Sequence, residues 1–261
     1  MFENKTIFIT GASSGLGRAL AVKLSYSHAK MALMARSWEK LEQTKALCNP
    51  DASVELIYGD VTDEEHCKRA IQHAFDTFGH LDYLILNAGV SMWSRFDAIS
   101  DISSMAKLME TNYLGAVYCV HHALPLLKKT HGMIVGISSV QGKIPVPYHS
   151  GYVASKHALQ GFLDTIRMEL RNEINVLTVS PGWIDGTNIR ENAFNEHKVL
   201  DHQKTNNRKK SAILLEDCVT NVIHAMKNNT HDLVLPKRYK MLSWVHLLFP
   251  NLMGKILMRQ L

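Results

Sequence analysis

Thr6-Ile7-Phe8-Ile9-Thr10-Gly11-Ala12-Ser13-Ser14-Gly15-Leu16-Gly17 (TIFITGASSGLG) is the stretch on which the fold is read. Thr6–Thr10 is a short apolar, β-branched run of the kind that forms a buried strand. A glycine turn follows, then an amphipathic run through Leu16–Ser25 with helical spacing. Glycines let a backbone turn tightly and approach a pyrophosphate with no Cβ in the way. The helix behind them aims unpaired N–H groups and its positive end at the same anion. Three glycines alone are common in loops, and a purely structural turn is the alternative. Their position between the first strand and first helix of a βαβ unit makes the segment a phosphate cradle.

Outward from this unit, apolar runs and amphipathic stretches alternate along the chain. Strands are predicted at Lys30–Ala35, Val54–Tyr58, Leu81–Leu86, Gly132–Ser138, Ile174–Ser180 and Asp232–Leu235. Helices are predicted at Trp38–Leu47, Asp63–Phe78, Ile102–Lys129, Tyr152–Asn172 and Glu216–Asn228, the third of them interrupted or bent near Pro125. Nearly continuous apolar strands separated by helices are what a parallel sheet covered on both faces produces. Right-handed crossovers then give a doubly wound parallel sheet of about seven strands, the α/β Rossmann arrangement, with the ligand at the carboxyl ends of the strands. No linker or repeat divides the chain, so residues 1–237 are expected to form a single domain and 238–261 a tail.

With 261 residues, 46% of them hydrophobic, the chain is long enough to bury a large core without staples. Cys48, Cys67, Cys119 and Cys218 show no C-x-x-C spacing and read as free buried thiols in a reducing compartment. The opening Met1-Phe2-Glu3-Asn4-Lys5 lacks the pattern of a secretory leader. No window reaches the ~18 apolar residues of a membrane span. The 14 histidines include no metal-ligand spacing, so no metal is expected. The net charge is +5, densest at Lys204–Lys210 (KTNNRKK). Without interleaved aromatics or a recognition motif, that cluster reads as a solvated loop rather than a nucleic-acid site.

The end of the second strand bears on the nucleotide. An acidic residue there accepts bonds from a ribose 2′-hydroxyl, whereas this chain has Ala35-Arg36-Ser37. A guanidinium grips a 2′-phosphate through two charge-assisted bonds, which favours NADP(H) over NAD(H). A surface arginine pairing with Glu39 or the adjacent helix is the alternative.

Tyr152 and Lys156 stand four residues apart on a predicted helix and share one face. Ser138 and Ser139 close the fifth strand at the ligand-binding rim. Thr10–Gly17, Asn87-Ala88-Gly89, Ser139, Tyr152-x-x-x-Lys156 and Pro181-Gly182 together resemble the motifs of the short-chain dehydrogenase/reductase family, in order and spacing, over about residues 4–236. The likeness is greatest to the NADP(H)-using branch that includes 11β-hydroxysteroid dehydrogenase-like reductases.

The chemistry stands on its own terms as well. A phenol titrating near 10 is a poor base at neutral pH. A lysine cation about 4 Å away favours phenolate by roughly 4 kcal/mol at an effective dielectric near 20, before desolvation subtracts from it. Tyr152 is then expected to act as general acid or base, with Ser139 holding the substrate oxygen. The resemblance further implies that Lys156 binds the nicotinamide ribose and that Asn112 orders a water in a proton relay. Gly11, Ser13, Ser14, Gly15, Leu16 and Gly17 would cradle the pyrophosphate, and Arg36 and Ser37 the 2′-phosphate. Asp60 and Val61 would lie beside the adenine, Asn87, Ala88 and Gly89 along the adenosine ribose, and Pro181, Gly182 and Ile184 at the nicotinamide. One departure appears: Gly186 stands where the family often has threonine, and Thr187 follows it. Thr187 fills the role through a shifted loop, or the contact is missing. Ser138 reads as structural and His149 as a pocket-wall or loop residue.

The polar segment 187–215 is expected to form a lid over the substrate, with a short helix starting in Asn188–Phe194. The tail 238–261 carries apolar and basic residues together, and Pro250 should break it into two helices. Such a segment lies at a membrane interface, or packs over the pocket or on a second subunit. The expected activity is NADP(H)-linked hydride transfer with an apolar, lipid- or steroid-like carbonyl or alcohol. The alternatives are reduction of small soluble carbonyls and a non-catalytic nucleotide sensor. A cytoplasmic protein, peripherally membrane-associated if the tail docks, is expected, and family habit implies a homodimer or homotetramer.

Overall fold

The computed structural model describes residues 2–187, 193–194 and 212–258. The chain runs β1 (Thr6–Thr10), α1 (Gly15–Ser25), β2 (Lys30–Ala35), α2 (Trp38–Leu47), β3 (Val54–Tyr58), α3 (Glu64–Phe78) and β4 (Tyr83–Leu86). It continues through α4 (Ser103–Met109), α5 (Gly115–Thr130), β5 (Met133–Ile137), α6 (Ser150–Glu169) and β6 (Asn175–Pro181). The last elements are β7 (Ile184–Asp185), β8 (Ile213–Leu214), α7 (Leu215–Lys227), β9 (Asp232–Leu235), α8 (Tyr239–Leu248) and α9 (Pro250–Met258).

Seven strands form one parallel sheet in the order β3-β2-β1-β4-β5-β6-β9. The chain winds outward from β1 to β3, then returns to the other side of β1, so β1 and β4 flank the switch point where doubly wound sheets take their ligands. Alternating strand residues supply the two faces. Ile7, Ile9, Leu33, Val135 and Val179 pack with Leu20, Leu24, Leu41 and Val222 of α1, α2 and α7. Phe8, Met34, Leu84, Ile134 and Val176 pack with Ile71, Val120, Leu127 and Leu163 of α3, α5 and α6. All four cysteines are buried and free.

Element ends follow local chemistry. Ser37 and Asp63 cap α2 and α3 by accepting from the N–H groups of Lys40 and His66, and Gly79 closes α3 in the left-handed region.

The helix is not interrupted at Pro125. α5 continues through Pro125 because Val120, Ala123 and Leu127 bury their side chains on the sheet, offsetting the ~3 kcal/mol cost of an internal proline. The irregularity falls earlier, at a π-turn over Glu110–Leu114, where the Gly115 N–H reaches back to the Glu110 carbonyl. The short parallel pair β7–β8 also had no counterpart in the sequence reading, since two residues show no periodicity.

Pro250 does divide the tail, into α8 and α9. One face of this pair packs Tyr239, Leu242, Val245, Met253 and Leu257 on Val140, Ile144, Val146 and Val234. Residues 188–192 of the lid helix expected at Asn188–Phe194 and the basic cluster at Lys204–Lys210 lie outside the described residues, and Phe194 forms a β-bridge with Met92. No helix among the described residues is long and apolar enough to cross a membrane.

Candidate active site

The turn after β1 is built for close approach. Gly11 has φ +64°, and a Cβ there would fall 2.8 Å from the Ala88 Cα. A Cβ on Gly17 would overlap the Asn87 amide and the Gly11 carbonyl. Asn87 donates its side-chain amide to the carbonyls of Thr10 and Gly11, both at 3.1 Å. The Thr10 hydroxyl accepts from the N–H groups of Asn87 and Ala88, both at 3.0 Å. The Asn87–Gly89 turn is thus locked to the glycine turn. Arg18 clamps the outside, donating to the Ser13 carbonyl and the Thr44 hydroxyl.

Ser14 precedes α1 with extended backbone and spends no side-chain hydrogen bond on capping. No carboxylate occupies the first turn of α1. Its free N–H groups and uncompensated positive end therefore suit an anion, while Leu16 is buried beneath. These features fit a dinucleotide pyrophosphate, while the space a Cβ would fill at Gly11 and Gly17 is taken by Ala88, Asn87 and the Gly11 carbonyl, so those two glycines serve the lock between the turns.

Arg36 leaves β2 largely exposed, its Nη1 3.6 Å from an Asp60 carboxylate oxygen. Its partner is therefore Asp60 at the end of β3 and not Glu39. At that exposure the pair contributes about 0–1 kcal/mol, so the guanidinium is cheaply redirected. Asp60 also accepts from the Thr62 N–H, and Val61 is buried against Gly115. The Ser37 hydroxyl is engaged in capping α2 at 3.3 Å.

Four chemistry-bearing residues converge at the rim of β4, β5 and β6. Tyr152, Lys156, Ser139 and Asn112 are all buried. Ser139 follows β5, accepts from the Gln141 N–H at 3.1 Å and donates to the Pro181 carbonyl at 3.4 Å. It also hydrogen-bonds Tyr152. Lys156 Nζ donates to the Ile137 carbonyl at 2.8 Å and stands close to Gly89. Asn112, in the π-turn, accepts from the Val90 N–H at 2.8 Å and donates to the Val90 carbonyl and the Ser155 hydroxyl, each at 2.9 Å. Ser155 in turn donates to the Tyr152 carbonyl. The Asn112 side chain is thus committed to holding α6 against the segment after β4. Ser138 points to the Lys156 carbonyl behind the site.

The electrostatic expectation needs correcting. Lys156 Nζ lies 5.8 Å from the Tyr152 ring centroid. Burial pushes the Tyr152 phenol up to about 12, with the Ser139 hydrogen bond acting in the opposite sense. Burial likewise pulls the Lys156 ammonium down to about 8. Desolvation is the largest cause of both shifts, so these groups by themselves keep Tyr152 a neutral proton donor.

At the nicotinamide end, the Gly182 N–H bonds the Leu235 carbonyl, and Ile184 opens β7. Gly186 has φ +88°, a conformation a threonine would adopt only with strain. The turn it permits brings the Thr187 side chain within 3.7 Å of where a Gly15 Cβ would sit. Thr187 also donates to the Ile184 carbonyl at 3.3 Å. The departure from the family pattern is therefore a one-residue shift that still delivers a threonine to the glycine turn.

A wall beside Tyr152 was missed in the sequence. Trp93 stacks on Tyr148, centroids 5.7 Å apart and planes 7° apart, and meets His149 edge-on at 4.8 Å. The Trp93 N–H donates to the Phe194 carbonyl and the Ser94 N–H to the Tyr148 carbonyl, both at 2.9 Å. Phe194 also forms a parallel bridge with Met92, and both pack in one cluster with Tyr152. Tyr148 adopts φ +68°, unusual for a bulky residue. His149 is buried with Nδ1 at 2.9 Å from the Pro147 carbonyl, a wall residue as expected. Trp93 and Tyr148 each sit within six residues of a motif, but no spacing rule links them to one another. Among the described residues no cluster of three His, Cys, Asp or Glu is arranged to hold a metal ion.

Residues 5–198 match a family model described as short chain dehydrogenase. The chain is 33% identical over 255 residues to 11-beta-hydroxysteroid dehydrogenase-like 4A of Arabidopsis thaliana, covering 96% of this chain and 83% of that one. An alcohol dehydrogenase from Thermococcus sibiricus, solved with 5-hydroxy-NADP, superposes with a TM-score of 0.78 at 25% identity, covering 88% and 95% of the two chains. A short chain dehydrogenase/reductase from Burkholderia phymatum, solved with NAD, gives 0.82 at 23% identity over 96% and 95%, a likeness of fold.

Proposed function

Since this chain belongs to the short-chain dehydrogenase/reductase family, we propose that it is an NADP(H)-dependent oxidoreductase of apolar carbonyls and secondary alcohols, with Tyr152 as the general acid/base. The observation that carries this reading is the enclosure of Tyr152 with Ser139 and Lys156 at the carboxyl ends of the strands, its phenol held protonated by burial. A bound nicotinamide supplies the hydride, and the protein supplies orientation and the proton.

In reduction, Ser139 donates to the substrate carbonyl oxygen and Tyr152 delivers its proton there as negative charge develops. Lys156, which donates to the Ile137 carbonyl, would hold the nicotinamide ribose, and its positive charge would favour loss of that proton. Oxidation runs the same steps backwards and needs the phenol lowered from its buried value. Asn112 acts through Ser155 to hold the start of α6 in register. The Gly11–Gly17 turn, Ser13, Ser14 and Thr187 take the pyrophosphate side. Arg36, turned from Asp60, would hold the 2′-phosphate.

Substrate class is read from the wall. Trp93, Tyr148 and Phe194 present aromatic surface near Tyr152, the first two through His149, which suits a flat or bulky hydrocarbon body around the carbonyl. The helices α5 and α6 are the surfaces for a homodimer or homotetramer, which light scattering of the purified chain would test. The reading predicts turnover with NADPH above NADH, and larger kcat/KM for steroid and other polycyclic ketones than for small soluble aldehydes and keto-esters. NADH preference would contradict the role of Arg36, and preference for small polar carbonyls would contradict that of the wall.

A further inference from the structure

The second face of the tail carries an observation that the reaction does not use. α8 and α9 bury Tyr239, Leu242 and Val245 inward, and turn Met241, Trp244, Leu247 and Leu248 outward at 60–70% exposure. Phe249, Leu252 and Met258 are exposed as well. A soluble helix pairs one apolar face with a polar one, whereas this pair is apolar on both. So many large exposed apolar side chains within one short segment mark a contact surface.

The charges decide between occupants. From Pro236 to Leu261 the sequence has no Asp or Glu, but has Lys237, Arg238, Lys240, Lys255 and Arg259. A symmetric self-contact would set these cations against their own copies, which costs energy. An anionic lipid surface complements both features, apolar side chains entering the headgroup boundary and lysines meeting phosphate. We propose that α8–α9 docks this protein on the surface of an anionic bilayer, without crossing it.

The position gives the docking a consequence. α8 begins with Tyr239 against Gly182, and the pair rests on Val140 and Ile144, just beyond Ser139. The inward face of the docked pair therefore adjoins the rim that holds Tyr152, so docking would set the cleft close to the bilayer surface from which an apolar substrate would come. That last step rests on the proposed function. The docking itself does not.

The test is flotation of the full-length chain with vesicles of phosphatidylcholine alone or with added phosphatidylserine, alongside the triple variant Trp244→Glu, Leu247→Glu, Leu248→Glu. These side chains are exposed, so the variant keeps the fold, which circular dichroism and thermal melting verify. Flotation with the anionic vesicles is expected for the native chain, with the vesicle partition coefficient falling on the order of tenfold or more in the variant. Lys240→Glu should weaken it about fivefold or more, and salt should weaken both. Native chain that stays unbound to anionic vesicles, or binds as well after the triple change, overturns the proposal. So does a native oligomer that the triple variant dissociates while vesicles bind neither form, since the patch is then a subunit interface.

Discussion

The two sides of the cleft are assembled differently. On the cofactor side, Gly11, Gly17 and Asn87 interlock through backbone-to-amide bonds between β1 and β4, strands paired in the middle of the sheet. On the substrate side, Trp93, Tyr148 and Phe194 come from three loops and hold one another by single backbone bonds and ring stacking. The first side is specified by local sequence, because only glycine tolerates those close approaches. The second is specified by meetings between distant loops, which leave room for side chains to vary with substrate. Changes on the first side should therefore disable every reaction, and changes on the second should be selective.

Lys156 tests the hinge between the two and should show the largest effect. Lys156→Met is expected to lower kcat/KM by ~10²–10⁴ for all substrates. The same change should stabilise the fold at neutral pH. The native lysine, buried with its pKa near 8 against an unfolded 10.5, is a charge held at a cost below pH 8. The unfolded chain binds the extra proton between those values, so native stability rises with pH from about 8 to 10.5 and is lost again as pH falls through 8. Tyr152, raised to about 12, has the opposite sign, its contribution being present below about 10 and lost as pH climbs through 12. Denaturant midpoints at pH 7 and pH 9.5 should show the variant ahead by about 1–3 kcal/mol at the lower pH, with the gap narrowing at the higher. A variant destabilised at both would break this account.

Gly17→Ala should weaken NADPH binding by roughly 10–100-fold with every substrate, because its methyl group meets the Asn87 amide and the Gly11 carbonyl. Calorimetric titration with NADPH measures this directly. Arg36→Ala should cost about tenfold in NADPH affinity and leave NADH unchanged. Its stability effect should stay within about 1 kcal/mol, since the Asp60 pair is exposed. Trp93→Ala should be the mildest, raising KM about 3–10-fold for polycyclic ketones while sparing small aldehydes and NADPH affinity. An equal loss with both substrate classes would mean that the wall is structural.

The strands, the glycine turn and the Tyr152–Lys156 pair were legible because each has a local signal: an apolar run, a Cβ-free approach, an i,i+4 spacing on a helix. The π-turn around Asn112 was not, because the excess residue at Glu110–Leu114 leaves the apolar pattern of a long helix almost intact. At Pro125 the helix continues uninterrupted, since burial of α5 overrides the proline's local preference. The direction of the Tyr152 shift was misread because spacing along a helix reveals proximity to a cation and says nothing of burial. Thr187 shows the intermediate case. Its displacement was visible in the sequence, but the left-handed turn at Gly186 that compensates for it was visible only in the fold.

The most direct test of the central claim, that Tyr152 is the proton donor of NADPH-linked reduction, is a stopped-flow single turnover. Native protein and Tyr152→Phe are loaded with NADPH and mixed with a polycyclic ketone. The account predicts equal NADPH affinity for the two, and oxidation of the bound NADPH slowed by ~10²–10⁴ in the variant. Oxidation at the native rate in Tyr152→Phe would contradict it.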